Sequence, residues 1–177
     1  MTAGTQATIE IRQYRPEDHA QATNSYVEGM LALDPNPEYH YLWGELLRKD
    51  LTNDLADIEG SHMAPGGNFF VAVVTKDGSS KVVGIIGLLR ESEDVGQIRR
   101  VDVDSNYQRM SIGRKMIAEL ESWAKQNKIK RVFLSTGANS DGPKAFYTSL
   151  GYTKLDEILY NWTNPQYLRL VKFVKRL

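Results

Sequence analysis

Three β-rich segments follow one another between residues 68 and 104, and they constrain the fold more than any other feature of the sequence. NFFVAVVT (68–75) and KVVGIIGLLRE (81–91) flank the turn sequence KDGSS, which predicts a β-hairpin. GQIRRVDVD (96–104) predicts a third adjacent strand. Because apolar residues recur at helical spacing on both sides of this block, we expect a central sheet covered by helices.

The remaining elements are predicted by the same periodicities. Alternating apolar and polar residues, or short β-rich runs, predict further strands at 8–14, 131–136, 152–162 and 167–176. Helical spacing predicts helices at 16–33, 38–59, 109–127 and 140–150. The order β-α-α-β-β-β-α-β-α-β-β predicts an α/β (α+β) fold with a single mixed central sheet of about seven strands and about four flanking helices. We expect residues 8–177 to form one domain and residues 1–7 to be a flexible N-terminus.

Composition excludes several classes of function. The 22 basic and 22 acidic residues balance, so bulk electrostatics do not favour nucleic acid as a partner. The absence of cysteine excludes disulfides and a thiolate nucleophile, and the three histidines show no metal-ligand spacing, so no metal is expected. The first ten residues lack the features of a signal peptide, and the longest apolar run (82–89) is too short to span a bilayer. We therefore expect a cytoplasmic protein with no membrane partner.

The stretch NYQRMSIGRKMI (106–117) places cations where a helix is predicted to begin. Helix N-termini usually favour acids, because the macrodipole is positive there. A bound phosphate or pyrophosphate explains the cations Arg109, Arg114 and Lys115, since the first helical amides have no partner within the helix. Small residues at 111 and 113 would let the anion approach the backbone. Alternatively, Arg114 and Lys115 are ordinary exposed residues and the glycine only packs closely.

Two motifs carry a resemblance to a known family. QRMSIG (108–113), after the strand VDVD (101–104), resembles the Q/R-x-x-G-x-G/A pyrophosphate loop of the GNAT acyl-CoA N-acyltransferases. AFYTSLGY (145–152) resembles the family ending A-x-x-F-Y-x-x-x-G-F/Y, with the nearer alanine shifted, and the element order over 8–177 is similar to the GNAT fold. The resemblance implies an N-acetyltransferase that uses acetyl-CoA and no metal. Its acceptor would be a primary amine of a small molecule, attacking directly in a ternary complex. LSTG (134–137) is similar to a branch whose acceptors include amino acids and their conjugates.

The resemblance also implies roles for individual residues. Backbone groups of Val101 and Val103 would bind the acetyl carbonyl and the pantetheine arm, and Tyr147 would protonate the departing thiolate. The other implied cofactor-binding residues are Gln108, Arg109, Met110, Ser111, Ile112, Gly113, Arg114, Asn139 and Ser140. Alternatively, Tyr147 is a core residue that packs on the helix face with Phe146 and Leu150.

The sequence departs from the family pattern at two positions. Ser111 replaces the usual glycine of the loop, and its side chain either crowds the phosphate or donates to it. Gln97 lies where many relatives carry a glutamate base, and glutamine cannot accept a proton. The base is left open between three acids at a strand end (Glu91, Glu93 and Asp94), a water-mediated route, and capture of an already neutral amine.

The acceptor site is the least determined part of the sequence. Tyr39 and His40, with Tyr41 and Trp43, either wall an acceptor pocket or belong to a helix core. Arg99 and Arg100 are consecutive on a strand and should point to opposite faces, so one of them faces the acceptor cleft and binds a carboxylate, or lies on the surface. Gln97 and Arg99, with Tyr39 and His40, are therefore the candidate substrate residues.

Other functions and assembly states also remain open. The alternative acceptors are a protein N-terminus or a lysine side chain. Ser111 and Gln97 favour a further option, a CoA-binding sensor without turnover. The protein is expected to be a monomer or a homodimer, in which the apolar last strand (167–174) would pair across the interface.

Overall fold

The computed structural model describes residues 7–32, 40–163 and 166–177, and for residues 40–43, 158–163 and 166–168 it describes the backbone alone. The seven strands are β1 (Thr8–Gln13), β2 (Asn68–Lys76), β3 (Ser79–Arg90), β4 (Val95–Val103), β5 (Arg131–Gly137), β6 (Thr153–Thr163) and β7 (Gln166–Arg176). The four longer helices are α1 (His19–Ala32), α2 (His40–Thr52), α3 (Ile112–Gln126) and α4 (Asp141–Ser149). The strands form one sheet in the order β1-β2-β3-β4-β5-β7-β6, which confirms the predicted fold class.

The two faces of the sheet carry separate apolar cores. Successive residues of β2 alternate between them, because side chains of a strand point to opposite faces. Phe70 joins the core beneath α3, where Met116 and Leu120 are buried. Phe69 joins the core beneath α1 and α2, which includes Tyr26. The sheet is thus covered on both faces, as the predicted helices require.

The parallel strands β4 and β5 share the shortest pairing in the described sheet. Every other neighbouring pair is antiparallel, but β4 and β5 are joined through the crossover helix α3 and must run parallel. They pair only from Val95 to Gln97 on β4 and from Arg131 to Phe133 on β5. Beyond Gln97 the two strands separate, which leaves the second half of β4 paired only with β3.

Two helices differ from their predicted bounds. The helix predicted over 38–59 ends at Thr52, where the Asp50 carbonyl accepts from the amides of Asn53 and Leu55 and so turns the chain. A π-helical turn follows at Glu59–Met63. The helix predicted to begin at 109 begins at Ile112, because the two left-handed residues before it cannot belong to a right-handed helix.

A bulge in β4 corrects the prediction for the two arginines. Ile85 pairs with Asp102 and Gly87 with Arg99, so two residues of β4 stand opposite Ile86 alone. Arg100 has a φ of 56° there, which breaks the alternation of side chains. Both arginines therefore reach toward Asp54 on the α2 side, with Arg100 at 3.0 Å and Arg99 at 4.0 Å. The prediction that they point to opposite faces is wrong.

The position of β7 corrects a second prediction. β7 pairs along one side with β5 and along the other with β6. Neither of its edges is available to a second copy of the chain, so the predicted dimer contact through residues 167–174 is wrong. β1 and β6 are the edge strands of the sheet.

Some predictions fall outside what is described. These include the flexible start of the chain over residues 1–6, the break at 34–38 and the separation of the last two strands at 164–165. No helix within the described ranges has both the length and the apolar composition needed to cross a bilayer. The same ranges contain no group of three His, Asp or Glu side chains arranged to hold a metal ion.

Candidate active site

A cavity of about 560 Å³ opens where β4 and β5 separate. Its walls come from the free half of β4, the loop after β4, the first turn of α3 and the first two turns of α4. It brings together nine residues predicted from the sequence, namely Val101, Val103, Gln108, Arg109, Ser111, Ile112, Gly113, Arg114 and Tyr147. One place in the fold therefore unites both motifs.

The free edge of β4 offers backbone hydrogen bonds to the cavity. The amide of Asp104 donates to the Val83 carbonyl at 2.9 Å, so Asp104 faces β3. Because the direction alternates along an antiparallel ladder, Asp102 also faces β3, and the N–H and C=O of Val101 and Val103 face the gap. The Gln108 amide donates to the Val103 carbonyl at 3.4 Å, a long bond that a better donor could replace. An extended chain bearing amides could pair here as an added strand.

The start of α3 supplies unpaired amides. Arg109 and Ser111 have φ values of 64° and 60°, and this left-handed turn brings the chain abruptly into the helix. The first helical bond runs from the Lys115 amide to the Ser111 carbonyl at 3.0 Å. Within the described residues, the amides of Ile112, Gly113 and Arg114 have no hydrogen-bond partner, and all three residues line the cavity. This end of the helix therefore presents the free N–H donors that an anion-binding site needs.

Cations strengthen that site. The first turn of α3 contains no acid. Arg109 and Arg114 are exposed at the cavity rim, and in the described part of the chain neither forms an ion pair, although Arg114 donates to the Ser149 hydroxyl at 3.2 Å. Met110, also predicted to bind cofactor, is 47% exposed and does not line the cavity.

At the start of α4, the residues that line the cavity come later in the sequence than the two that were predicted. Asn139 and Ser140 do not line it, whereas Gly142 and Pro143 do. Ser140 is the N-cap residue of α4, and its hydroxyl lies against Gly137, where an added Cβ would be only 2.7 Å away. A glycine and a proline at the start of a helix carry little sequence signal beyond a helix start, which is why the two were missed.

Tyr147 both packs in the aromatic core and lines the cavity, which are the two environments predicted for it. Its ring packs against Phe146, Tyr152 and Phe173, at centroid distances of 5.3 to 5.9 Å, and the residue is only 7% exposed. It also lines the cavity, and no described group forms a hydrogen bond with its hydroxyl. Burial raises the pKa of Tyr147 to about 12. The phenol is therefore protonated at neutral pH and can donate.

The predicted substrate residues are scattered. Gln97 is half-buried at the last position where β4 pairs with β5, opposite Phe133, and does not line the cavity. Arg99 is half-buried on the α2 side. Tyr39 and the side chain of His40 lie outside the described residues. The three candidate bases Glu91, Glu93 and Asp94 are exposed at the β3–β4 turn, away from the cavity.

A buried ionic network underlies the α2 side of β4. The Arg100 guanidinium binds the carboxylates of Asp50 and Asp54 at 2.6 to 3.0 Å, and it also donates to the Tyr26 hydroxyl at 2.7 Å. Burial alone would raise the pKa of Asp54, yet the bonds and charge of Arg100 hold that pKa below its usual value. His62 is fully buried beside Asp54, and burial lowers its pKa to about 4, so the ring is neutral at neutral pH.

Asp102 is a cavity residue that the sequence reasoning missed. It lies between the two predicted valines of β4, and its carboxylate points to α1, where the Ser25 hydroxyl donates to it at 3.2 Å. Burial, with the nearby charges of Asp104 and Glu28, raises its pKa to about 6. The alternation Val-Asp-Val was the available signal, because it places the aspartate on the opposite face of the strand from the valines.

The comparisons with known proteins cover most of the described domain. A family model for the acetyltransferase (GNAT) family matches residues 18–152. N-acetylaspartate synthetase of Xenopus tropicalis is 36% identical over 104 residues, which are 58% of this chain and 37% of that protein. Human N-acetyltransferase 8 is 27% identical over 141 residues, which are 76% of this chain and 61% of that protein. The chain thus spans less than two thirds of the length of each of these curated relatives.

Solved structures agree with the fold. A GNAT-family acetyltransferase of Staphylococcus aureus superposes with a TM-score of 0.71 at 22% identity, over 96% of this chain and 99% of that one. PaiA N-acetyltransferase of Thermoplasma acidophilum, solved with coenzyme A, gives a TM-score of 0.70 at 20% identity, over 96% and 99% of the two chains. The family match over residues 18–152, which include the cavity and both motifs, confirms the resemblance: this chain belongs to the GNAT family of acetyltransferases.

Proposed function

We propose that the protein is an N-acetyltransferase that moves the acetyl group of acetyl-CoA to a primary amine of a small molecule. One observation carries this proposal. The same cavity joins a free strand edge to three unpaired amides at a helix start. An extended amide-bearing arm that ends in a pyrophosphate fits that pair of features, and CoA has this form.

Different residues of the cavity bind different parts of CoA. The backbone groups of Val101 and Val103 pair with the pantetheine arm by strand addition. The amides of Ile112, Gly113 and Arg114 bind the pyrophosphate, and the Arg109 guanidinium adds a charge-assisted bond from the rim. The PaiA structure solved with coenzyme A supports this choice of ligand at the level of the family.

Transfer requires groups at the inner end of the cavity. The Val101 amide donates to the thioester oxygen, where negative charge develops as the amine attacks. The Tyr147 hydroxyl, protonated at neutral pH, gives its proton to the departing sulfur. The chain has no cysteine to carry the acyl group, which favours direct attack by the amine in a ternary complex.

The acceptor approaches from the α1–α2 side of β4, where Arg99 retains an exposed part of its side chain. A guanidinium at this position can bind a carboxylate. We infer that the acceptor is an amino acid or an amino-acid conjugate, which the name of N-acetylaspartate synthetase supports.

Two measurements test the proposed function together. Calorimetric titration with CoA and acetyl-CoA measures binding, and a thiol-release assay measures turnover with aspartate, other amino acids, a polyamine and peptides with a free N-terminus or lysine. We expect binding of both ligands and turnover with a free amino acid. Binding without turnover would make the protein a sensor, turnover only with peptides would make it a protein acetyltransferase, and absence of binding would contradict the assignment.

Ser111→Gly is expected to retain or tighten CoA binding and to leave the fold as stable or up to about 1 kcal/mol more stable. Ser111 occupies the left-handed region, which costs a non-glycine residue about 1–2 kcal/mol. The greater freedom of glycine in the unfolded chain offsets part of that gain. Urea unfolding and CoA titration measure the two effects.

Ser122→Gly is the matched control, because Ser122 is exposed within the right-handed α3. It should lose about 0.5–1 kcal/mol of stability. A drop in CoA affinity of more than about tenfold in Ser111→Gly, about 1.4 kcal/mol, would show instead that the serine hydroxyl is a ligand.

Arg109→Ala and Arg114→Ala should each weaken CoA binding by about fivefold to a hundredfold, since a hydrogen bond to a charged group contributes about 1.5–3 kcal/mol. The loss should shrink as salt is added, because salt screens the contribution that each arginine makes. Lys115→Ala is the matched control, with the same change of charge at an exposed residue outside the cavity lining. If all three variants bind CoA with the affinity of the original protein, the two arginines do not contact CoA.

A further inference from the structure

The proposed reaction needs a proton acceptor, and the predicted position cannot provide one. Gln97 is not basic and does not line the cavity. Among the described residues that do line it, Asp102 is the one carboxylate. No histidine is among them, so Asp102 is the only residue of that lining whose side chain can accept a proton near neutral pH.

The structure holds the Asp102 carboxylate in a defined position. Asp102 lies on β4 between the two residues whose backbone groups face the gap. Its side chain points to α1, the side from which the acceptor is proposed to approach. There the Ser25 hydroxyl donates to it at 3.2 Å. Gly29 leaves the space that the carboxylate fills, because a Cβ on that glycine would lie 1.9 Å from an Asp102 oxygen.

The surroundings leave this carboxylate without a cation. In the described ranges no lysine, arginine or histidine lies within 4.0 Å of it. Its neighbour Asp104 is paired instead with Lys81, at 2.7 Å. The groups that face Asp102 are Ser25 and Glu28 from α1, the Val103 amide from its own strand, and Asp104 directly after that strand. An unpaired carboxylate beside two further acids is suited to bind an ammonium group and to take its proton.

We propose that Asp102 is the base that deprotonates the acceptor amine, an inference that rests on the proposed function. The ammonium nitrogen gives one proton to an Asp102 oxygen, and the freed lone pair forms the N–C bond to the acetyl carbon. The C–S bond breaks, its electron pair leaves with sulfur, and Tyr147 donates the proton that completes the thiol. The second proton of the nitrogen returns through solvent to Tyr147. Burial raises the pKa of Asp102 to about 6, so at neutral pH it releases its proton to water between turnovers.

Asp102→Asn tests the base directly, because asparagine keeps the shape and cannot accept the proton. We expect kcat to fall by about a hundredfold to ten-thousandfold, with CoA affinity within about threefold of the original protein. Asp156→Asn is the control for loss of a strand carboxylate, since Asp156 is exposed on β6 and does not line the cavity. Its kcat at neutral pH should stay within about threefold. If Asp102→Asn also retains kcat within about threefold, the proposal is wrong.

The pH profile separates a base from a structural residue. With an acceptor whose own pKa is about 10, kcat/KM should rise with pH through the Asp102 pKa near 6, because only the carboxylate accepts a proton. Ser25→Ala removes a bond that lowers this pKa, so the rise should move to higher pH. Asp104→Asn removes a charge that raises it, so the rise should move to lower pH. A rise that stays in place in both variants would contradict the proposal.

A measurement without turnover completes the test. The side-chain carboxyl carbon of Asp102, assigned by its loss in Asp102→Asn, can be titrated by NMR in the protein alone and with CoA. We expect a pKa near 6, and a pKa near 4 would overturn the proposal. No turnover by the original protein with any amine would instead contradict the proposed function, which distinguishes the two failures.

Discussion

Arg100→Met is expected to lower the free energy of unfolding by about 3–5 kcal/mol. The Arg100 side chain is only 8% exposed and is the cation that the buried carboxylates of Asp50 and Asp54 share. Methionine retains much of the apolar volume but removes the cation that both carboxylates bind, and removal of one partner of a buried pair has a cost of this size. Whole domains are stable by only about 5–15 kcal/mol, so the variant should unfold at much lower urea concentration.

Arg169→Ala is the matched control for that experiment. Arg169 also pairs with an acid, Glu157, but its side chain is 60% exposed. Exposed pairs contribute about 0–1 kcal/mol, so this variant should unfold close to the original protein. Equal losses in the two variants would show that burial of the Arg100 network contributes nothing to stability.

The loss in Arg100→Met should also depend on pH. In the original protein the pKa of Asp54 lies below its usual value of 3.8, so Asp54 stabilises the fold above about pH 4 and this contribution is lost as pH falls through the lowered pKa. Without Arg100, burial raises the pKa instead, and the ionised carboxylate destabilises the fold at neutral pH. Protonation relieves that penalty. The difference in the free energy of unfolding between the variant and the original protein should therefore be largest near pH 7 and smaller near pH 5.

Tyr147→Phe is expected to reduce kcat by about tenfold to a hundredfold while the KM for acetyl-CoA changes little. Phenylalanine retains the packing against Phe146, Tyr152 and Phe173, so the fold should survive. It removes the hydroxyl that faces the cavity. A positioned acid usually contributes about 10²–10⁴-fold, and we expect the low end because a thiolate is already a fair leaving group. A loss confined to kcat is the mark of an interaction made mainly in the transition state.

The control for this variant is Tyr152→Phe. Tyr152 belongs to the same aromatic cluster, but its hydroxyl donates to Glu121 at 2.8 Å and it does not line the cavity. Its kcat should stay within about twofold once any loss of stability is allowed for. If Tyr147→Phe behaves in the same way, Tyr147 is a packing residue. If only its KM rises, the hydroxyl binds cofactor and does no acid chemistry.

Periodicity predicted the elements of this fold well because it reports which side chains are buried. The seven strands and four helices appear in the predicted order, and the motif at 108–113 lies where the helical pattern begins. The cavity lining was predicted instead from the resemblance of residues 108–113 and 145–152 to the two GNAT motifs. A motif that fixes a strand end and a helix start also fixes the groups between them.

Local backbone conformation was harder to predict, and most of the errors come from it. The bulge at Arg100 and the left-handed residues Arg109 and Ser111 leave no periodic trace. The bulge turned two arginines to one side, and the left-handed turn moved the start of α3 to Ile112. The helix end at Thr52 was missed because the apolar spacing continues through the turn to Leu55 and Ile58, which are both buried. Contacts between side chains far apart in the sequence, such as that of Asp102 with Ser25, can be identified only from the structure.

The place of β7 between β5 and β6 has a consequence for the order in which the molecule assembles. The cavity opens where β5 leaves β4, and β5 is parallel to β4 over only three residue pairs. Most of the pairing of β5 must therefore come from β7, which follows β5, α4 and β6 in the chain. Contacts between segments far apart in sequence form slowly. We therefore expect the cleft to be completed among the last parts of the domain. Tight binding of a ligand in the cleft would then report that the entire sheet has closed.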